Sequence, residues 1–173
     1  MQPRQKEKRM SGILIVTGAS RGIGAACARL GAREGYDVCV NYLAARERAD
    51  AVVREIEAQG RRAIAVQADM AREDDVVRMF ETVDRELGTV TALVNNAARG
   101  VTYGPTSRVK AEELAQLWAT NITGPFIASR EAVKRMSTRN GGKGGAICNI
   151  SSIGVKLLGA NTFVDYAASK AAV

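Results

Sequence analysis

The run "DYAASK" (165–170) places Tyr166 four residues before Lys170. On an α-helix that spacing stacks a phenol and an ammonium on one face. A free phenol, with a pKa of about 10, is a reluctant proton donor at neutral pH, and a neighbouring positive charge favours its phenolate form. Such a pair could therefore act as an acid and a base in turn. Taken alone, it also reads as an ordinary solvated helix contact.

A second set of residues suits a different chemistry. "VTGASRGIGAA" (16–26) follows an apolar run, opens an apolar helix, and carries glycines at 18, 22 and 24. Gly18 permits a sharp turn, Gly22 lets backbone approach a pyrophosphate at the helix N-terminus, and Gly24 allows close packing of the helix. The alternative is a purely structural turn. The spacing GxxxGxG departs from GxGxxG, and no GK[ST] follows, which disfavours an NTP-hydrolysing loop.

Both sets need a scaffold. "ILIV" (13–16), "DVCV" (37–40), "RAIAV" (62–66), "VTALV" (90–94) and "GAICNI" (145–150) alternate with longer stretches of helical period. Ala49, Val52, Val53 and Ile56 form one helical stripe, and Val76, Phe80, Val83 and Leu87 another. The pattern predicts parallel strands joined by crossover helices. A third helix is expected from near Lys110, turning Leu114, Leu117, Trp118 and Ile122 inward, with Gly124 and Pro125 bending or crowding it. "RNGGKGG" (139–145) reads as a flexible turn into the last strand. One domain over 12–173 is expected, behind a basic flexible tail over 1–11.

That tail explains much of the charge. The chain of 173 residues has 25 Lys and Arg against 18 Asp and Glu, a net +7. Arg4, Lys6, Lys8 and Arg9 oppose Glu7 alone in the tail, while the other bases are scattered among acids, so no nucleic-acid partner is expected. No apolar run approaches the eighteen or so residues of a membrane span, and the first segment lacks the apolar stretch of a secretory signal. No membrane partner is expected, and the cytoplasm is the expected location. The absence of histidine excludes a Ser/His/Asp triad and a histidine-based zinc site. Cys27, Cys39 and Cys148 stand far apart among small or apolar neighbours and read as buried, reduced thiols.

Residues 17–24 resemble the cofactor loop of the short-chain dehydrogenase/reductase family. "NNAA" (95–98) resembles that family's NNAG, Asn121 in "ATNITGPF" falls where its helix asparagine does, "NISS" (149–152) matches the end of its fifth strand, and "YAASK" (166–170) matches its YxxxK. Order and spacing agree from Gly12 to Val173. The resemblance implies an α/β fold of Rossmann type, a doubly wound parallel sheet with helices on both faces, incomplete here with its last strands missing. It also implies an oxidoreductase that interconverts a secondary alcohol and a ketone or aldehyde, in the manner of 3-oxoacyl reductases or sugar dehydrogenases. The substrate would be a small carbonyl or alcohol, and the complete form a homo-oligomer. The 173 residues would be the inactive N-terminal part of a longer enzyme; the alternative is a non-catalytic relative that binds a nucleotide or a partner.

The same resemblance assigns roles. Tyr166 becomes the acid/base, its phenolate favoured by Lys170 and by the positive charge of an oxidised nicotinamide. Ser152 would hold the substrate oxygen, unless Ser151 and Ser152 are simply a polar strand end. Asn121 would anchor a water relaying protons from Lys170. Gly18, Ser20, Arg21, Gly22, Ile23 and Gly24 would hold the cofactor together with Asn95, Ala97, Tyr166 and Lys170, and Asp69 would stand near the adenine. Asp69 also reads as a helix cap, and Asn95 and Asn96 as turn formers. Asn41 and Tyr42 close the second strand in "VNY" (40–42), where an acid would accept from the ribose 2′-OH of NAD. With no acid there, and with Arg21 and Arg46 near, NADP(H) is favoured over NAD(H), unless those arginines are mere surface charges. The loops 99–109 and 153–165 would flank the substrate, and their mixed character fits ketones, sugars and acyl thioesters alike.

Overall fold

The computed structural model describes residues 12–100, 104–157 and 162–173; the basic tail lies outside them. The apolar runs form β1 (Gly12–Val16), β2 (Tyr36–Tyr42), β3 (Ala63–Gln67), β4 (Ala92–Asn95) and β5 (Ala146–Asn149). Between and after them lie α1 (Gly22–Arg33), α2 (Arg46–Glu57), α3 (Glu73–Glu86), α4 (Ala111–Trp118), α5 (Gly124–Met136), α6 (Gly154–Leu157) and α7 (Val164–Ala171). All strands are parallel, in the order β3-β2-β1-β4-β5. The order reverses between β1 and β4, and in such sheets the usual ligand position is the crevice beyond the carboxyl ends of the strands at this point.

The strands read as continuous apolar runs because helices cover both faces. Along β1 successive side chains go to opposite sides. Ile13 and Ile15 join Val76, Met79, Phe80 and Val83 of α3, while Leu14 and Val16 join Ala25 and Ala28 of α1 and Val52 and Ile56 of α2. Phe80 is fully buried, which contributes roughly 2–3 kcal/mol relative to exposure. The face under β4 is also clamped by charge. Glu131 of α5 is buried; burial pushes its carboxyl up, and Lys134, Arg135 and Arg130 overcome that and bring it down to about 2. Arg135 donates on to Asp84 of α3 at 2.6 Å and lies 5.1 Å from the centre of the Phe80 ring.

Two expectations need correction. Trp118 is not inward: it is 44% exposed, while Leu117 and Asn121 are buried. Leu117 is the one buried residue of α4, so the inward stripe of that short helix is too narrow to take in Trp118; a π-helical turn over Ala119–Thr123 then joins α4 to α5 and changes the winding for the residues that follow. The same turn accommodates Pro125, which takes up a position in the first turn of α5 where no amide hydrogen is required. Gly124 meets the opposite constraint, since a Cβ there would lie 2.4 Å from Met70 O. Cys148 is exposed, not buried, because β5 is an edge strand with all four residues exposed; Cys39 is buried and Cys27 half-buried. Burial pushes the Cys39 thiol pKa up, so it stays protonated.

Candidate active site

The chain leaves β1 at Val16 and turns at once. Gly18 has φ +62°, and a Cβ there would stand 2.9 Å from Ala97 Cα. At Gly24 a Cβ would stand 2.5 Å from Asn96 Nδ2 and 2.6 Å from Gly18 O. Glycine is required at both places by close backbone approach. Gly22 differs: its φ is +56°, yet no atom lies within 4 Å of where a Cβ would be. Its open side faces space, as the reading of a phosphate-approach position requires.

The turn is laced from both flanks. Thr17 Oγ1 accepts from Asn96 N and Ala97 N, each at 2.9 Å, and Asn96 Nδ2 donates back to Thr17 O at 2.8 Å and Gly18 O at 3.2 Å. On the other side Asn41 Oδ1 accepts from Gly18 N at 3.0 Å, and Asn41 O accepts from Ala19 N at 2.7 Å. The amide group of Asn41 donates to Val66 O in β3 at 3.3 Å and to Ala68 O just beyond it at 3.1 Å. Asn41 and Tyr42, at the end of β2 where an acid would accept from a ribose, are both buried, with their side chains inside the protein. Asn95 is buried as well, donating to Asn149 Oδ1 at 2.9 Å and Ser129 Oγ at 3.1 Å, a strand-to-strand brace.

At the mouth of the crevice α1 begins without a side-chain cap and without an acid in its first turn. Uncapped amides and the helix dipole together attract an anion. Arg21 precedes the helix and is exposed, Ile23 is 62% exposed, and Ser20 is half-buried. Arg46 opens α2 from an exposed position, 3.4 Å from Asp50. Asp69 accepts from Ala71 N at 2.9 Å, and its own amide donates to Asp75 Oδ2 at 3.0 Å; it forms the turn beyond β3, with Asp75 bracing that turn from α3. These features fit a phosphate-bearing dinucleotide: a glycine turn held tight at Gly18 and Gly24 and open at Gly22, and a helix start without a side-chain cap.

The proton-handling candidates gather on the β5 side. Lys170 Nζ donates to Ile150 O at 2.8 Å, and Ser151 Oγ donates to Lys170 O at 2.6 Å, tying α7 to the exit of β5. Burial pushes the Lys170 pKa down from the ordinary ammonium value. Ser169 Oγ accepts from Asn121 Nδ2 at 3.0 Å and donates to Tyr166 O at 2.7 Å, tying α7 to the π turn. Asn121 also accepts from Arg99 N at 2.7 Å and donates to Arg99 O at 3.1 Å, so its amide holds the backbone beyond β4. Ser152 accepts from Gly154 N at 3.0 Å, which leaves its own hydrogen for donation. Tyr166 is half-buried on α7. A cleft of about 440 Å³ is lined by Gly104, Pro105, Arg108, Lys110, Val164 and Asp165; Tyr166, Ser152 and Lys170 are not among its lining residues. Both loops expected to flank a substrate border this cleft, although residues 101–103 and 158–161 of those loops lie outside the described ones.

Sequence reasoning passed over Ser169. It is fully buried, and its signal was a hydroxyl between Tyr166 and Lys170 on the inward side of a short helix. Thr17 was likewise read only as part of a motif.

Among the described residues no helix is long and apolar enough to cross a membrane. The short chain dehydrogenase family model matches residues 12–173. An uncharacterised oxidoreductase of Escherichia coli K12, YgfF, is 46% identical over 161 residues, covering 93% of this chain and 65% of that protein. The 3-oxoacyl-[acyl-carrier-protein] reductase FabG of Staphylococcus epidermidis is 39% identical over 160 residues, covering 92% and 63%. Among solved structures, a short chain dehydrogenase from Burkholderia cenocepacia in complex with NADP superposes with TM-score 0.87 at 37% identity, covering 95% of this chain and 65% of that one. A blue fluorescent protein from a metagenomic library in complex with NADPH gives 0.85 at 39%, covering 93% and 64%. The chain thus spans about 65% of the length of its relatives. With the family model matching from Gly12 to Val173 and these relatives sharing more than a third of their residues with it, the chain belongs to the short-chain dehydrogenase family.

Proposed function

We propose that these residues form the nucleotide-binding and proton-handling part of an NADP(H)-dependent oxidoreductase interconverting a secondary alcohol and a ketone or aldehyde, with 3-oxoacyl thioesters and sugars as the leading substrate classes. The observation that carries the reading is the anchoring of α7. Lys170 Nζ on Ile150 O and Ser169 on Asn121 hold the Tyr166 helix against both the β5 exit and the π turn. A mere surface helix needs no such attachment.

The cofactor, when bound, supplies or accepts the hydride. Gly18, Gly22 and Gly24 give its phosphates room, the α1 amides and Arg21 meet their charge, and Asn95 and Ala97 stand at the β4 exit behind it. Tyr166 gives the carbonyl oxygen its proton and takes it back in the reverse direction. Lys170 keeps positive charge near that phenol, Ser152 donates to the same oxygen, and Asn121 fixes the backbone around Arg99 and, through Ser169, the pitch of α7. Preference for NADP(H) rests on Arg21 and Arg46 at the rim. It is in keeping with the NADP and NADPH found in the two solved relatives. A cytoplasmic location and assembly into homo-oligomers complete the proposal.

The test begins with NADPH and NADH fluorescence titrations of the 173 residues, where binding with NADPH the tighter is expected. A panel of ketones, aldehydes, sugars and 3-oxoacyl thioesters follows, on these residues and on any longer chain carrying them. By themselves the 173 residues are expected to bind nucleotide with little turnover, since β5 lies open. Absence of nucleotide binding would remove the proposal, and binding without turnover in every length of chain would favour the non-catalytic alternative.

A further inference from the structure

Asn41 stands where a cofactor-reading side chain was expected, yet it is 1% exposed and every part of it is engaged within the protein. Its Oδ1 receives the amide hydrogen of Gly18, the residue with left-handed φ at the head of the glycine turn. Its main-chain oxygen receives the next amide, that of Ala19. Its Nδ2 group donates in the other direction, to Val66 O and Ala68 O. One side chain therefore links the exits of β1, β2 and β3. Among uncharged side chains of this size, a carboxamide alone offers an acceptor at one corner and two donors at the other. Aspartate would keep the acceptor and lose both donors; alanine would lose everything. Its neighbour Tyr42 is 2% exposed, so neither side chain at the end of β2 reaches outward to a ribose.

We infer that Asn41 is a positioning residue for the nucleotide: it sets the conformation of the glycine turn from within, and it makes no contact with the ribose. The inference rests on the nucleotide-binding reading above and adds how affinity and selectivity separate. The turn must hold two consecutive amides in a fixed direction, Gly18 toward Asn41 Oδ1 and Ala19 toward Asn41 O, before α1 can present its first-turn amides to a phosphate. A lost bond at the head of the turn is therefore felt by any dinucleotide, whatever its 2′ substituent. An acid placed at this position disturbs the turn and reads nothing.

The experiment has two arms. In the nucleotide-free wild-type protein, hydrogen exchange at the Gly18 amide should be slow, because Asn41 Oδ1 is its partner; exchange at the rate of an open loop amide overturns the inference. In titrations, Asn41→Ala and Asn41→Asp should each weaken NADPH and NADH together, by roughly tenfold, from the loss of buried hydrogen bonds. The ratio of the two affinities should stay within about twofold of wild type. A merely structural brace would lower the melting temperature and leave the dissociation constants of the folded protein unchanged, and that result also overturns the inference. A ribose-facing residue would give a third pattern, with Asn41→Asp gaining NADH at the expense of NADPH, equally fatal. If neither variant folds, the wild-type exchange measurement decides. If the wild type binds neither nucleotide, the proposed function fails, while exchange at Gly18 still reports whether the turn is braced.

Discussion

The glycine-loop half and the β5 margin of this molecule are built in opposite ways. Around β1 and β2 nearly every side chain is buried, and the polar ones, Thr17, Asn41 and Asn96, are satisfied by loops of the same sheet. Along β5 all four residues are exposed, and the candidate proton-handling groups stand on short pieces of chain held by a few polar bonds. The helix bearing Tyr166 has eight residues, too few to persist in water on its own. On the proposed function, nucleotide affinity would rest on a rigid interior, and acid/base geometry on a set of attachments. The two functions should fail separately.

The largest expected effect is on the attached side. Tyr166→Phe removes a hydroxyl and keeps the ring, so in a chain that turns substrate over kcat should fall on the order of a hundred- to ten-thousandfold. The NADPH dissociation constant should stay within about twofold, because the glycine cradle is untouched. Near-normal turnover would assign the proton to another group, and a matching loss of NADPH affinity would show that the two halves are not independent.

A smaller effect is expected from the opposite substitution. Gly24→Ala puts a methyl 2.5 Å from Asn96 Nδ2, 2.6 Å from Gly18 O and 3.0 Å from Ala19 Cα. Two of those atoms are backbone, so the turn itself must shift, at a cost of about 1–3 kcal/mol. Nucleotide affinity should drop roughly ten- to hundredfold, while hydrogen exchange at the α7 amides stays as in wild type. Unaltered NADPH binding would mean that the turn is softer than its lacing suggests.

This contrast also governs what the sequence could reveal. The strands were legible because parallel strands covered on both faces become unbroken apolar runs, as in "ILIV" and "DVCV". Gly18 and Gly22 were legible because their backbone needs positive φ. Trp118 was misread because periodicity marks which residues share a side but not how wide a stripe is covered, and in α4 only Leu117 is buried. An apolar run also does not say which strand lies at an edge, and so Cys148 was expected to be buried. Asn41 carried an unused signal: an amide following the apolar run Val38–Val40 of a covered strand must find partners indoors, since an unsatisfied buried polar group is costly. Asn121, Ser152, Tyr166 and Lys170 were singled out through resemblance alone. The bonds that fix them, through Ser169 and the carbonyl of Ile150, depend on side-chain directions that spacing alone does not determine.

The smallest effect should come from the rim of the nucleotide half, where the rules of its interior no longer apply. Arg46 is exposed, begins α2, and faces Asp50 across 3.4 Å, a surface pair of the kind worth a few tenths of a kcal/mol to about 1. If it meets a 2′-phosphate, that contact too is bathed in solvent. Arg46→Ala should weaken NADPH about two- to fivefold and leave NADH nearly unchanged, narrowing the gap between them. The difference should shrink as salt is raised, because the Debye length falls to about 3 Å at 1 M. This pattern is the converse of the one expected at Asn41, where both nucleotides weaken together: a buried amide sets how well any dinucleotide sits, and an exposed guanidinium sets which one sits better. An unchanged NADPH-to-NADH ratio in Arg46→Ala at low salt would remove Arg46 from selection and leave Arg21, beside the uncapped start of α1, as the rim group to replace next.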